Sequence, residues 1–234
     1  MTFGDERKKC VVYIDGYNWY HVIFKHRPEW KWLNIQTFFE KLLSRDKVLS
    51  VKMFSALVDP HNPISDARER QERYFSALKT FPKVQIILGA FQPREVTCRA
   101  SCKIKYWIQE EKKTDVNIAM EMISDSLAGG CEKMCVVSGD SDIQPVVEWV
   151  CKNYPKIKIY VYIPALPNLQ RDRRIDYYLT QRLQVECKFL PLDTIKDHQM
   201  KATVKLGGGK LAVRPYVWEK DPINLSRSAL EPDR

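Results

Sequence analysis

The 234-residue sequence lacks any run of about 20 apolar residues, so no membrane-spanning helix is expected. The amino-terminal segment MTFGDERKKC is charged and no apolar core follows it. It is not read as a secretory signal, and the expected location is the cytoplasm. Seven cysteines, an odd number, argue against a disulfide framework. Histidine is scarce, at four residues. There is no glycine-rich phosphate loop either. The segment KLGGGK (205–210) lacks the spaced GxxxxGK[ST] pattern and the strand-to-helix context that such a loop needs.

What is present is a set of aspartates at the ends of apolar segments. CVVYIDGYN (10–18) and CVVSGDSD (135–142) share one design, a short β-branched run that stops at Asp-containing turn residues. Between them, EEKKTDVNIAMEM (110–122) has a helical pattern with Asp115 at its start. Asp15, Asp115, Asp140 and Asp142 are therefore candidates for one acidic pocket. Carboxylates so gathered repel one another; they stay ionised mainly by sharing a cation, or else some take up protons. Hard oxygen donors without histidine in these motifs favour Mg²⁺ or Mn²⁺ over zinc.

The net charge is +9 and the pI about 9.1. An acidic pocket in a basic protein suits a polyanion drawn to the surface while a metal sits in the pocket, which points to nucleic acid. Residues 92–109, QPREVTCRASCKIKYWIQ, have no apolar period and read as an irregular connection. Arg94, Arg99, Lys103 and Lys105 are interleaved there with Tyr106 and Trp107, a mixture suited to single-stranded nucleic acid or to a loop anchored by its aromatics. Cys98 and Cys102 lie in the same stretch, but two cysteines do not complete a zinc site, and zinc is not expected. Cys10 and Cys135 open the two strand-to-Asp segments and read as small core residues.

The order of elements reads as strands alternating with helices. Strands are expected at Val11–Ile14, Val51–Leu57, Val84–Phe91, Met134–Val137 and Ile157–Ile163. Helices are expected at Ile35–Leu43, Ser65–Thr80, Asp115–Ala128 and Ile143–Asn153, with a short one near Arg174–Arg182. Near-continuous apolar strands separated by helices predict an α/β fold, a mainly parallel sheet covered on both faces. Such sheets bind ligands at the carboxyl ends of their strands, where the acids lie. In helix 65–80, Arg68, Arg70 and Arg73 are either a solvated face or part of a phosphate track. Beyond residue 192 the character changes, and residues 193–234 read as a basic extension. It is expected to form a hairpin (Ala202–Leu206 with Leu211–Tyr216) or a loose tail.

YIDGYN (13–18), EKKTDVNIAMEM (111–122) and SGDSDIQPVV (138–147), in that order, resemble the NYN-domain proteins of the PIN-like nuclease superfamily. RQERYFSAL (70–78) and FLPL (189–192) also resemble that family, and the likeness covers roughly residues 10–192. The resemblance implies a PIN-like three-layer domain that binds Mg²⁺ or Mn²⁺ and cleaves RNA. By the same resemblance Asp15, Asp115, Asp140 and Asp142 are metal ligands and catalytic. Asn18 either orients a ligand or holds its turn. Thr114 is expected to cap the helix that follows. Glu121 is expected to stand behind the carboxylates, with Ser138 and Ser141 donating hydrogen bonds there. Lys112 either neutralises a phosphate or is a surface lysine, and Asp142 alternatively caps the next helix. Lys112, Arg99, Lys103 and Lys105 are the candidate substrate-binding residues.

The expected activity is a metal-dependent ribonuclease, a phosphodiesterase acting on single-stranded RNA. A DNA or structure-specific nuclease, or a non-catalytic RNA-binding module, remain the alternatives.

Overall fold

A computed structural model describes residues 6–59, 66–98, 103–166, 178–183 and 185–219. Its strands are β1 (Lys9–Asp15), β2 (Lys47–Ser55), β3 (Val84–Leu88), β4 (Ala90–Thr97), β5 (Lys105–Lys112), β6 (Lys133–Val137), β7 (Lys158–Ile163), β8 (Glu186–Phe189), β9 (Thr203–Lys205) and β10 (Leu211–Val213). Its α-helices are α1 (Gly16–Trp19), α2 (Ile35–Leu42), α3 (Ala67–Leu78), α4 (Thr114–Ala128) and α5 (Gln144–Asn153). Six strands form one sheet in the order β3-β2-β1-β6-β7-β8, and every pairing within it is parallel. The order reverses between β1 and β6, which opens a crevice at their carboxyl ends.

The strands read as continuous apolar runs because both faces are covered. Along β1, Cys10, Val12 and Ile14 pack into one core with Phe38 and Phe39 of α2 and Tyr74, Phe75 and Leu78 of α3. The alternate residues Val11 and Tyr13 face a second core with Ile118 and Met122 of α4 and Val146, Val147 and Val150 of α5. Strand β6 divides the same way, Cys135 and Val137 to the first core and Met134 and Val136 to the second. This is the period-2 alternation of a three-layer α/β domain. Cys10 and Cys135 are buried core residues, as their place in the apolar runs suggested.

Local chemistry sets several helix starts. Asn34 caps α2 by accepting the Thr37 N–H at 3.1 Å. Pro145 lies in the first turn of α5, where its missing N–H costs nothing. On α3, Arg68, Arg70 and Arg73 each pair with an acid one turn away, Glu72, Asp66 and Glu69. All three arginines are thus ion-paired; Arg70 is mostly buried and stands close enough to Lys31 to lower its pKa.

Four expectations change. The strand read at Val84–Phe91 is two strands separated by Gly89, whose N–H is held by the Ser55 carbonyl at 2.8 Å. Residues 92–109 are not an irregular connection: β4 and β5 pair antiparallel from Ala90 opposite Lys112 to Thr97 opposite Lys105. Among the described residues this ribbon is a two-stranded sheet of its own, separate from the six-stranded sheet. The edge strand β8 escapes sequence reading because ECKF is short and mostly exposed. Thr114 does not cap α4. Lys113 occupies the cap position with φ 78°, and Thr114 is the first helical residue.

The expected hairpin forms as β9 with β10. This segment packs back on the domain: Trp218 is buried, with its ring 6.1 Å from those of Trp32 and Tyr74. Of the helix expected at 174–182, Tyr178–Arg182 forms a π-helical turn, and residues 174–177 lie outside the described residues.

Candidate active site

Strand β1 ends at Asp15, and the chain turns at once into α1. The turn is close to β2: a Cβ on Gly16 would lie 2.5 Å from the Phe54 carbonyl oxygen. Glycine is what permits this approach. The Asp15 side chain is buried, and both of its oxygens are held. Oδ1 accepts the Asn18 N–H at 2.9 Å, and Oδ2 accepts the Ser138 hydroxyl at 2.8 Å. Asn18 Oδ1 in turn accepts the Gly139 N–H at 3.0 Å. Two side-chain hydrogen bonds therefore tie the turn after β1 to the turn after β6.

The second turn is built in the same manner. Ser138 Oγ accepts the Asp140 N–H at 3.0 Å, and Asp140 Oδ1 accepts the Asp142 N–H at 3.1 Å. Asp140 thus caps the short 3₁₀ turn Ser141–Ile143, and Asp142 is not the capping residue. Ser141 and Asp142 are exposed. Asp115 lies in the first turn of α4, at the positive end of the helix dipole. The left-handed conformation of Lys113 just before it is uncommon for a residue with a side chain. The adjoining Thr114 hydroxyl is buried and has no hydrogen-bond partner among the described residues.

Electrostatics group the four acids. Burial pushes the Asp15 carboxyl up to about 6; its two hydrogen bonds oppose the rise, and the charges of Asp115 and Asp140 add to it. The Asp115 carboxyl is also pushed up, by burial first and then by Asp140 and Asp142. As they stand, no three His, Cys, Asp or Glu side chains among the described residues form a group that could hold one metal ion.

Glu121 does not stand behind these carboxylates. Its Oε2 accepts from Lys52 Nζ at 2.7 Å, and Asp125 accepts from the same ammonium at 2.6 Å and from the Tyr13 hydroxyl at 2.5 Å. This buried network fastens α4 to β1 and β2. Six residues carry Glu121 off the Asp115 face of the helix, which is why it meets Lys52 instead.

The basic candidates sit on the ribbon. Lys112 ends β5 one residue before the strained Lys113. Lys103 is exposed in the turn, and Lys105 is exposed and pairs with Glu95 at 3.2 Å. Arg99 and Cys102 lie outside the described residues. A feature that sequence reading missed is a pocket of about 370 Å³ that begins at Gly16, next to Asp15. Tyr17, Tyr20, Phe91 and Trp218 supply aromatic walls, and Lys31 lies among them. The dense aromatics of YNWYHVIF (17–24) were a signal, but nothing in the sequence brings Trp218 there.

Residues 9–178 match the family model of the NYN domain. The chain belongs to the NYN-domain family. It therefore carries the family's nuclease-like α/β fold. The NYN protein is similar to 6-hydroxy-3-succinoylpyridine 3-monooxygenase HspA of Pseudomonas putida, 29% identical over 196 residues. That match covers 68% of this chain and 61% of the relative, so the chain spans less than two thirds of that protein's length. A crystal structure of a protein of unknown function from Vibrio parahaemolyticus superposes with a TM-score of 0.50 at 19% identity. It covers 81% of this chain and 96% of that one, and it shows the shared fold alone. Among the described residues no helix is long and apolar enough to cross a membrane.

Proposed function

We propose that this NYN protein is a metal-dependent ribonuclease that cuts single-stranded RNA through Asp15, Asp115, Asp140 and Asp142. The observation that supports this reading is that Asp15 and Asp140 lie at the carboxyl ends of β1 and β6, where the strand order reverses, and are bridged by Ser138. The donor set fits Mg²⁺ or Mn²⁺: carboxylate oxygens that repel one another, beside an unpartnered buried hydroxyl on Thr114. A bound ion would supply an activated water and offset the charge that develops on the phosphate.

The chain's own residues do the rest. Ser138 and the Asn18 N–H hold Asp15 in one orientation, which keeps its carboxylate pre-organised. Asp140, fixed by the N–H of Asp142, stands at the neighbouring strand end. The amino end of α4 favours a phosphate close to Asp115. Lys112 would neutralise that phosphate, and Lys103, Lys105 and Arg99 would hold the strand along the ribbon. The test is incubation of the protein with labelled single-stranded RNA and DNA, in Mn²⁺, Mg²⁺ or EDTA. RNA cut only with a divalent ion is the expected result. DNA cut in preference to RNA would make it a deoxyribonuclease. Metal-independent RNA binding without cleavage would make it a binding module.

One observation favours a second reading. The curated relative is named for oxygenation of a pyridine ring, and the aromatic pocket beside Asp15 has room for one such ring. In that reading the substrate is a small planar ring acid. Dioxygen consumption on mixing with a hydroxypyridine acid and a nicotinamide reductant tests it.

A further inference from the structure

The pocket that starts at Gly16 has features that the acidic group alone does not explain. It lies between α1, the carboxyl end of β2, α3 and Trp218. Tyr17 and Tyr20 are 39% and 43% exposed at its rim. The Tyr17 ring lies 4.3 Å from that of His21, tilted by 49°, and 6.4 Å from that of Phe91. Phe91 belongs to β4, so the basic ribbon runs directly into the pocket wall. Lys31 is half-buried, with its ammonium 4.9 Å from the Tyr20 ring and 5.9 Å from the Trp218 ring. It forms no salt bridge among the described residues, and burial holds its pKa down at about 8. A lysine kept among aromatic rings offers three donors and no acceptor.

Each feature fits one ligand chemistry. Aromatic walls stack a flat heterocycle. A donor-only ammonium suits a ring rich in acceptors, and pairs better with a carbonyl oxygen than with a ring nitrogen. The pocket begins at Gly16, the residue that follows Asp15. On the reading of this protein as a ribonuclease, we infer that the pocket is a base subsite. It takes the unstacked nucleobase beside the cut phosphate, with Lys31 donating to a ring carbonyl. Uracil, cytosine and guanine carry such an oxygen and adenine does not. The subsite therefore disfavours adenine at that position. The ribbon leads the strand in, the base leaves the strand between Tyr17 and Phe91, and its phosphate stays outside over the acids.

The experiment has an arm that does not depend on cleavage. Uridine 5′-monophosphate and adenosine 5′-monophosphate are titrated calorimetrically into metal-free protein, wild type and the variants Lys31→Met and Phe91→Ala. Thermal unfolding checks that both variants fold. The expected result is binding of the uridine nucleotide at least about tenfold tighter than the adenosine nucleotide, with a loss of about tenfold in either variant. Equal binding of both nucleotides, or uridine binding unchanged in both variants, overturns the subsite. Binding of nicotinate but of neither nucleotide overturns it too, in favour of a small ring acid. In the second arm, RNA cleavage by Lys31→Met and Phe91→Ala should show a raised KM with a smaller change in kcat. Cleavage with KM unchanged in both variants rejects the subsite and leaves the nuclease standing. Wild type that binds the uridine nucleotide but cuts no RNA rejects the nuclease and leaves the subsite standing.

Discussion

The buried carboxylate of Asp15 and the hydroxyl of Ser138 meet at 2.8 Å across the ends of two neighbouring strands, 123 residues apart in sequence. This bond favours the ionised form of Asp15 against its burial. Ser138→Ala should raise the Asp15 pKa further and lower stability above pH 6 by about 1 kcal/mol, the usual value of such a bond. Chemical denaturation at pH 7.5 and carboxyl NMR titration measure both effects. An unmoved Asp15 titration would show that the bond does not hold the charge.

The pH dependence of the metal-free protein follows from the same residue. In EDTA, folded Asp15 titrates near 6 while the ordinary value is 3.8. The folded state binds the proton more tightly, so stability is fully present below the ordinary value and is lost as pH rises through about 6. The two-unit shift corresponds to at most about 3 kcal/mol. Asp15→Asn carries no such titration and should lose less stability than wild type between pH 4 and 7. Urea midpoints across this window decide it; equal slopes for the two proteins would reject the assignment.

Asp140→Asn keeps size and removes charge. It should reduce RNA cleavage more than about a hundredfold while circular dichroism stays that of the wild type. Its melting temperature in EDTA should rise, because a repelling carboxylate is gone. Wild-type activity in both Asp140→Asn and Asp15→Asn would falsify the metal-nuclease reading.

Lys52 ties Glu121 and Asp125 together under α4, so its role is structural. Lys52→Met should destabilise the fold by about 1 kcal/mol, since two partly exposed acids lose their cation and water screens what remains. Glu121→Gln, by contrast, should leave cleavage within about threefold of wild type, because the side chain meets Lys52 rather than the acids at the strand ends. A large fall in kcat at full stability in Glu121→Gln would return this residue to the acidic group.

RNA affinity should fall steeply with salt. Lys103→Ala with Lys105→Ala should reduce the slope of log K against log[salt] by about 0.7 for each phosphate that is no longer neutralised. Filter binding at several salt concentrations reads this directly. An unchanged slope would show that RNA does not follow the ribbon.

Much of the fold was legible because burial on both faces writes itself into β1, β2, β6 and β7 as apolar runs. The Asp-ending turns at residues 15 and 140 were legible for the same reason, since an apolar run that stops at a carboxylate marks where the strand ends. The ribbon of β4 and β5 was not legible, because among the described residues its strands pair with each other and not with the six-stranded sheet whose burial writes the apolar runs. The partner of Glu121 was hidden as well. Lys52 lies inside an apolar strand 69 residues away, and only the register of β1 against β2 brings it beneath α4. Thr114 misled for a local reason: the helix starts from a left-handed Lys113, so the threonine falls inside the first turn rather than ahead of it.

Trp218 closes the pocket that Gly16 opens, from opposite ends of the chain. All four aspartates have been synthesised by residue 142, well before this wall. A growing chain can therefore assemble its acids while the adjoining cavity still lacks a side. For the proposed base subsite the carboxy-terminal segment would then serve as a closing clasp, its wall complete only once Trp218 has packed against Trp32 and Tyr74.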